Sequence, residues 1–245
     1  MRGCDAVLHV AALYSYDRRD EAALARVNIG GTKTVLDAAT RAGVGRIVHT
    51  STAGTCGPVP GRPATEDDGP PEWELAVPYK RTKLEAEKLA LAAGAVVVNP
   101  TTPVGEGDTR PTPTGRMIRG VARGRYFGYV PTTGLNVVDV RDVAAGHVLA
   151  LERGRPGERY LLGGTDMWLG DFFAAVAAAA GRRRPRLRIP YAAVRAAATF
   201  HLVNANEAAL ARLPMFFSSE KAERELGYRR SAIEPAIARA TDAVR

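Results

Sequence analysis

Short apolar runs alternate with longer helical stretches through the first hundred residues. The apolar runs lie at 6–10 (AVLHV), 46–50 (RIVHT) and 95–99 (AVVVN). Runs of this length and texture are typical of strands buried on both faces of a parallel sheet. Between them, the stretches 20–42 and 76–93 have helical character, and Gly43 closes the first. The order strand, helix, strand, helix, strand predicts a right-handed parallel α/β sheet.

The elements become shorter after Pro100. A loop rich in Gly, Pro and Thr over 101–115 leads into a helix that ends near Arg123. The further predicted elements are strands at 135–140 and 159–162 and helices at 143–151, 169–180, 191–213, 219–226 and 233–244. This pattern predicts a parallel-sheet part over 1–100 and a smaller lobe over 101–245, with some elements of the lobe returning to the sheet.

Composition places the chain among ordinary soluble globular proteins. Of 245 residues, 46% are hydrophobic and 24% charged, and no segment approaches the roughly 20 uncharged apolar residues that span a bilayer. We therefore expect a cytoplasmic protein without a membrane partner. The two cysteines, Cys4 and Cys56, lack the spacing of a zinc or redox motif, so neither a metal site nor a disulfide framework is predicted.

The net charge of +8 comes mainly from arginine. A local cluster lies at Arg182, Arg183, Arg184, Arg186 and Arg188, with no aromatic residue interleaved for base stacking. We interpret this cluster as a solvated connection between a helix and a strand, and the alternative is an edge that binds a substrate phosphate. No recognition motif accompanies the charge, so no nucleic-acid partner is predicted.

Tyr79 and Lys83 lie four residues apart in a predicted helix, so both side chains project from one face. An ammonium group beside a phenol favours the phenolate, which would lower the pKa of the tyrosine toward neutral pH and suit it to general acid and base catalysis. Taken alone, the pair is equally well explained as a solvated helix face.

Further polar residues lie where a site is expected. Ser51 and Thr52 follow the second predicted strand, at the edge where open α/β sheets place their ligand crevice. Asn28 lies inside a predicted helix, where Asn is mildly unfavourable, and Gly30 and Gly31 follow it. A kinked helix with a structural amide and a merely tolerated local weakness both explain this pattern.

Five segments in one order resemble the motifs of the extended short-chain dehydrogenases/reductases, the NAD-dependent epimerase/dehydratase family. They are HVAALY at 9–14, NIGGT at 28–32, HTSTAGT at 49–55, PYKRTK at 78–83 and NPTTPVG at 99–105. Later segments at 134–147, 158–164 and 215–228 resemble, more narrowly, hopanoid-associated sugar epimerases and dihydroflavonol-4-reductase-like enzymes. The resemblance implies a doubly wound, Rossmann-like parallel sheet, with a dinucleotide-binding part over 1–100 and a mainly substrate-binding lobe over 101–245.

The resemblance also implies roles for individual residues. The catalytic set is Thr52, Tyr79, Lys83 and Asn28. The residues expected at an NAD or NADP cofactor are Val10, Ala11, Ala12, Thr50, Ser51, Tyr79, Lys83, Pro100 and Thr102. The residues expected to face a small-molecule substrate are Tyr14, Thr52, Asn99 and Arg116.

The activity implied is reversible hydride transfer on a sugar-like alcohol or ketone, nucleotide-linked ones included, with net epimerisation favoured. The alternatives are a dihydroflavonol-4-reductase-like carbonyl reductase and an inactive remnant that cannot bind cofactor. Family members begin with a glycine-rich turn that no segment here matches, so the resemblance implies that about 60 residues, the first βαβ units, are missing. A homodimer is one assembly that the family allows, although the short helix after Lys83 leaves its packing open.

Overall fold

The computed structural model describes residues 1, 3–109 and 112–244, with the backbone alone at Glu207. Its strands are β1 (Ala6–His9), β2 (Arg46–Thr50), β3 (Val96–Pro100), β4 (Thr102–Val104), β5 (Gly128–Tyr129), β6 (Gly134–Asp139), β7 (Arg159–Leu162), β8 (Thr165–Trp168) and β9 (Leu187–Arg188). Its α-helices are α1 (Glu21–Leu24), α2 (Gly31–Arg41), α3 (Glu72–Leu75), α4 (Pro78–Ala92), α5 (Pro113–Ala122), α6 (Val140–Arg153), α7 (Leu169–Ala179), α8 (Tyr191–Thr199), α9 (Ala205–Leu210), α10 (Glu220–Leu226) and α11 (Glu234–Asp242).

The chain forms two compact units. The first contains residues 1–100, 144–162 and 217–229, and the second contains 101–143, 163–216 and 230–245. Residues 144–162 and 217–229 therefore join the first hundred residues rather than the segments that flank them in sequence.

The first unit is built on a parallel sheet with the strand order β1-β2-β3-β7. Every residue of β3 is buried, as expected for a central strand covered on both faces. Helix α2 packs against β1 and α4 against β3, and the two helices contact each other. The Rossmann-like parallel α/β sheet expected from the sequence is confirmed.

Pro78 at the first position of α4 suits a helix start, since its missing N–H has no intrahelical acceptor there. After Ala93, Gly94 adopts a positive φ of 75°, which ends the helix. These two residues set the bounds of α4, and within it the spacing of four places Tyr79 and Lys83 on one face.

The long helix expected over 20–42 is four consecutive segments. A 3₁₀ turn at Arg18–Asp20 precedes α1, and a π-helical stretch at Ala25–Gly30 separates α1 from α2. A π-helical turn widens the helix, is rare, and is frequently found at functional sites. Asn28, which is buried, lies in this stretch.

The second unit contains a mixed sheet in which β6 pairs in parallel with β4 and antiparallel with β8. The strands β5 and β9 form a separate two-stranded parallel ladder. The core of the second unit includes Val137, Phe172, Val176 and Ile237, from β6, α7 and α11. None of its described helices, nor those of the first unit, is long and apolar enough to cross a membrane.

Several elements of the second unit differ from the sequence-based expectation. The predicted loop over 101–115 contains β4, and β8 was not expected because its residues (TDMW) are mostly exposed and lack apolar alternation. Pairing with β6, which no local pattern reveals, makes this segment a strand. The helix expected over 191–213 is two helices, α8 and α9, separated by a turn in which His201 has a φ of 57°.

Candidate active site

The hydroxyls of Thr52 and Tyr79 meet at the carboxyl end of β2. Thr52 is extended and caps the 3₁₀ turn Ala53–Thr55, where its Oγ1 accepts a hydrogen bond from the Gly54 N–H at 3.3 Å. Tyr79 lies in the first turn of α4, and its phenol is near enough to the Thr52 side chain for that hydroxyl to lower the pKa of Tyr79. The end of a strand and the start of a helix therefore bring two proton-carrying groups together.

Tyr79 is surrounded by aromatic rings. The ring of Tyr14 stands edge-on to it at 4.5 Å and that of Tyr16 at 5.9 Å, and the Tyr14 hydroxyl donates to the Tyr16 oxygen at 3.0 Å. Burial and the neighbouring Tyr14 raise the pKa of Tyr79 above its usual value, while the hydrogen bond from Thr52 lowers it by less. The expectation that Lys83 lowers this pKa is wrong for the structure as it stands. Tyr79 is therefore a neutral phenol at physiological pH.

Lys83 lies one turn farther along α4 and is 3% exposed. Its Nζ donates to the Thr50 carbonyl oxygen at 2.7 Å. Burial lowers the pKa of Lys83 to about 8, and the negative charge of Glu87 opposes that shift. The ammonium is thus the main form at neutral pH, although burial has brought it close to losing its proton.

Asn28 connects three segments of the first unit. Its Oδ1 accepts from the Leu13 N–H at 2.8 Å, and its Nδ2 donates to the Leu13 carbonyl oxygen at 3.1 Å and to Thr82 Oγ1 at 3.2 Å. These contacts support a structural amide in the widened helix. They reach Thr82, next to Lys83, rather than Lys83 itself, so the implied link to a proton path stays a prediction.

The residues expected at a cofactor lie around the ends of β1 and β2. Val10, Ala11 and Ala12 follow β1 and are exposed, which leaves a small-residue surface open to a flat ligand. The Ser51 hydroxyl is buried with no hydrogen-bond partner among the described residues, whereas Thr50 Oγ1 lies 2.8 Å from His147 Nε2. The exposed apolar surface of the residues after β1 would fit the nicotinamide ring. The Ser51 hydroxyl and the Lys83 ammonium would fit the hydroxyl groups of its ribose.

The residues expected at the substrate are placed differently from one another. Tyr14 is 43% exposed, which leaves it accessible. Asn99 is fully buried, and its Nδ2 lies within hydrogen-bond distance of Thr52 O, Thr55 Oγ1 and Glu87 Oε2. These contacts occupy Nδ2 alone, whereas Asn99 Oδ1 is buried with no hydrogen-bond partner among the described residues, so the expected substrate contact of Asn99 stays a prediction. Arg116, on α5, belongs to the second unit.

The two remaining cofactor residues lie on either side of the division between the units. Pro100 ends β3 and is buried, and Thr102 begins β4 in the second unit. Their roles stay predictions.

Three residues that contact this site were not expected from the sequence. Tyr16 completes the aromatic cluster, while Glu87 and Arg159 form an ion pair of 2.8 Å beneath the turn that carries Thr52. Only Glu87 has a signal in the sequence, since it lies four residues after Lys83 and therefore on the same face of α4. Glu87 and Arg159 lie 72 positions apart in the sequence, so no local pattern reveals their pairing.

Comparison with known proteins agrees with this arrangement. Residues 1–163 match the model of the NAD dependent epimerase/dehydratase family. The chain is 38% identical to a putative dihydroflavonol 4-reductase of Synechocystis sp. over 97% of the chain and 75% of that protein. It is 35% identical to sterol demethylase protein B of Methylococcus capsulatus over 78% of the chain and 59% of that protein.

Solved structures give the same result. The crystal structure of gox2253 has 37% identity and a TM-score of 0.85, over 99% of this chain and 78% of that one. PA4631, described as a nucleoside-diphosphate-sugar epimerase from Pseudomonas aeruginosa, has 30% identity and a TM-score of 0.81, over 99% and 76% of the respective chains. With the family model matched over more than half of its length, the chain belongs to the NAD dependent epimerase/dehydratase family and is an enzyme of the short-chain dehydrogenase/reductase type.

Proposed function

We propose that the protein catalyses reversible hydride transfer at an alcohol or ketone carbon of a small molecule, with NAD or NADP as cofactor and Tyr79 as the acid and base. The observation that carries the proposal is the arrangement of three side chains: Lys83 lies one turn after Tyr79 on the same face of α4, and the Thr52 hydroxyl is near enough to the Tyr79 phenol to lower its pKa. A phenol held by a second hydroxyl is suited to exchange a proton with an oxygen placed between them.

The residues at the ends of β1 and β2 are the ones that would hold the cofactor. Val10, Ala11 and Ala12 offer an open, mostly small-residue surface, and Ser51 and Lys83 offer hydrogen-bonding groups. When bound, a nicotinamide supplies or accepts the hydride. Lys83 would donate hydrogen bonds to ribose hydroxyls as a cation, the form it keeps below pH about 8.

Thr52 and Tyr79 would act on the substrate oxygen. Thr52 would orient this oxygen by a hydrogen bond, and Tyr79 would give it a proton as the ketone becomes an alcohol. The raised pKa keeps the phenol protonated and ready to act as this acid. In the reverse direction the same hydroxyl would take the proton from the alcohol as the hydride leaves.

Net reduction of a ketone is the outcome that we favour, on the names of similar proteins. It agrees with the names of two relatives, the putative dihydroflavonol 4-reductase and a ketoreductase of Stigmatella aurantiaca that is 34% identical over 93% of this chain. The second candidate is epimerisation of a sugar-like, nucleotide-linked alcohol, in which the intermediate ketone stays bound. It is supported by the 30% identity to the nucleoside-diphosphate-sugar epimerase of Pseudomonas aeruginosa.

Replacing Tyr79 by Phe tests the chemistry. Tyr79→Phe removes one hydroxyl from a ring that keeps its packing, so we expect kcat of the intact protein to fall by about 10²- to 10⁴-fold, the usual contribution of a general acid or base. Tyr126→Phe is the matched control, since Tyr126 is 41% exposed and belongs to the second unit. A Tyr79→Phe variant that keeps more than about a tenth of the wild-type rate would contradict the assignment.

A substrate panel separates the two outcomes. Flat aromatic ketones, aliphatic ketones and nucleoside-diphosphate sugars are each incubated with NADH or NADPH, and the absorbance of the reduced nicotinamide is followed. Net reduction consumes the reduced cofactor, whereas epimerisation leaves it unchanged and is detected by chromatography of the sugar product. Turnover of sugars without net change in absorbance would favour the second candidate.

A further inference from the structure

Glu87 continues the face of α4 that carries Tyr79 and Lys83. The three residues are spaced by four, so their side chains follow one another along one side of the helix. Glu87 is 1% exposed. A carboxylate so deeply buried is costly unless both of its oxygens are engaged.

Both oxygens of Glu87 are engaged. Oε1 accepts from Arg159 Nη1 at 2.8 Å, and Oε2 lies 2.6 Å from Thr55 Oγ1 and 2.8 Å from Asn99 Nδ2. Arg159 also donates to the backbone carbonyls of Glu66 and Asp68. The guanidinium thus connects the carboxylate to a surface loop, while the amide and the hydroxyl connect it to the turn after β2.

This arrangement reaches the backbone of Thr52. The Thr55 hydroxyl lies 2.7 Å from the Thr52 carbonyl oxygen and 2.6 Å from Glu87 Oε2, but it has one hydrogen. Donation to the carboxylate gives the stronger bond, since charge-assisted hydrogen bonds are roughly twice as strong as neutral ones. The Thr52 carbonyl oxygen then accepts its hydrogen bond from Asn99 Nδ2, which lies 3.2 Å away.

The carboxylate also faces Lys83. Among the described residues, the charged or titratable groups that act on Lys83 are Glu87 on α4, His9 on β1 and His49 on β2. Burial keeps both imidazoles neutral by lowering their pKa values, so Glu87 is the group that favours a cation at Lys83. On the other side, Glu87 faces Arg159 and the buried Cys56 thiol, whose pKa burial raises to about 12.

We propose that Glu87 is a positioning residue for the reaction: anchored by Arg159, its carboxylate holds the turn that presents Thr52 and supplies the negative charge that faces Lys83. Glu87 itself touches neither substrate nor cofactor in this proposal. The inference rests on the proposed function, because it needs Thr52 and Lys83 to act in the roles given there. It also gives Asn99 Nδ2 a supporting role at this turn, through its contacts with Glu87 and the Thr52 carbonyl oxygen.

The variant Glu87→Gln tests the proposal, since it keeps the shape of the side chain and removes the charge. We expect kcat of the intact protein to fall at least tenfold, about the loss expected when a reacting group is misplaced by a fraction of an ångström. We also expect the alkaline limb of the kcat profile to move to lower pH. Without the carboxylate, Lys83 loses its proton more readily, whereas a residue that only stabilises the fold would leave this limb unmoved.

Glu85→Gln is the matched control. Glu85 lies on the same helix, and its side chain is 47% exposed and paired with Lys88 at 2.8 Å, so kcat and the pH profile should stay at wild-type values. Glu87→Asp should return the alkaline limb toward the wild-type position, because the charge is restored, while kcat recovers only partly. An Asp variant with the limb of the Gln variant would overturn the electrostatic half of the proposal.

If Glu87→Gln fails to fold because Arg159 is left unpaired, the double variant Glu87→Gln/Arg159→Gln removes both charges and is measured in its place, with the same expected shift. Tyr79→Phe is measured alongside. A fully active Tyr79→Phe protein contradicts the proposed function. An inactive Tyr79→Phe protein together with wild-type rate and pH profile in Glu87→Gln, or in the double variant, overturns the present inference alone.

Discussion

Gly54 lies in the 3₁₀ turn beneath Thr52, where any side chain would meet a buried lysine. A β-carbon built on Gly54 would lie 2.1 Å from Lys80 Nζ and 2.8 Å from its Cε. The Lys80 side chain is 5% exposed, and its Nζ lies 3.1 Å from Oε2 of the fully buried Glu74. The lysine therefore cannot move aside without leaving a buried carboxylate unpaired.

We expect Gly54→Ala to lower the free energy of unfolding by about 3 kcal/mol, the order of magnitude for breaking a buried ion pair. Gly69→Ala is the control, because a β-carbon there has no neighbour within 4 Å and the backbone φ is not positive. Urea denaturation of both variants measures the difference. Equal stability of the two would mean that Lys80 finds another position at little cost.

Single residues differ in how far the sequence could identify them. Thr52, Tyr79 and Lys83 lie in short motifs whose spacing sets a common helix face or a strand end, so a linear pattern was enough to group them. Glu87 and Asn99 acquire their surroundings from Arg159, which β7 brings beside β3 from 60 residues beyond Asn99. No local pattern encodes such a contact.

Among the elements, the π-helical stretch Ala25–Gly30 has the clearest cause. Its buried Asn28 pairs with both backbone groups of Leu13, as a neighbouring strand would, and also reaches α4 through Thr82. Leu13 directly follows Val10, Ala11 and Ala12, which are expected at the cofactor. The widened turn thus fixes the segment after β1 in position against α4.

Asn28→Leu keeps the volume but removes all three hydrogen bonds, leaving the N–H and carbonyl of the half-buried Leu13, and the buried Thr82 hydroxyl, without this partner. We expect a loss of about 2–4 kcal/mol in the free energy of unfolding, since each unsatisfied buried group costs about 1–3 kcal/mol. Val27→Ala, in the same stretch at a position 38% exposed, should change stability by less than about 1 kcal/mol. Thermal denaturation of the two variants decides, and a similar loss in both would contradict a special role for the amide.

The strands and helices of the first unit were predictable because buried parallel strands are continuous apolar runs, and glycines end the helices between them. The elements of the second unit were harder to predict from the sequence. The strand β8 is mostly exposed, and β4 lies in a segment of Pro and Gly, so both owe their conformation to pairing with β6. Elements made by a partner strand rather than by their own pattern are the ones that the sequence concealed.

At the scale of the whole molecule, the effect of acid on stability depends on titratable groups that are buried in the folded protein. His49 is 1% exposed, neither of its ring nitrogens has a hydrogen-bond partner among the described residues, and the His9 ring lies 5.2 Å away. Burial, with the nearby Lys83 as a smaller cause, lowers the pKa of His49 from 6.5 to about 2. The carboxyls of Glu66 and Glu74 respond in the opposite sense, because burial raises their pKa values.

We expect His49 to contribute a definable loss of stability as the pH falls below 6.5. Between pH 6.5 and about 2, His49 is protonated in the unfolded chain but stays neutral in the folded chain, so acid favours unfolding. From pH 7.5 to pH 5 this amounts to about 2 kcal/mol. His49→Leu, which cannot bind that proton, should therefore gain about 2 kcal/mol relative to the wild type over this interval in urea denaturation. His201→Asn, which removes an exposed imidazole, should follow the wild-type curve. If His49→Leu and the wild type instead lose stability in parallel, the His49 imidazole takes up its proton in the folded state as readily as in the unfolded chain. The assignment of a neutral imidazole to His49 would then be wrong.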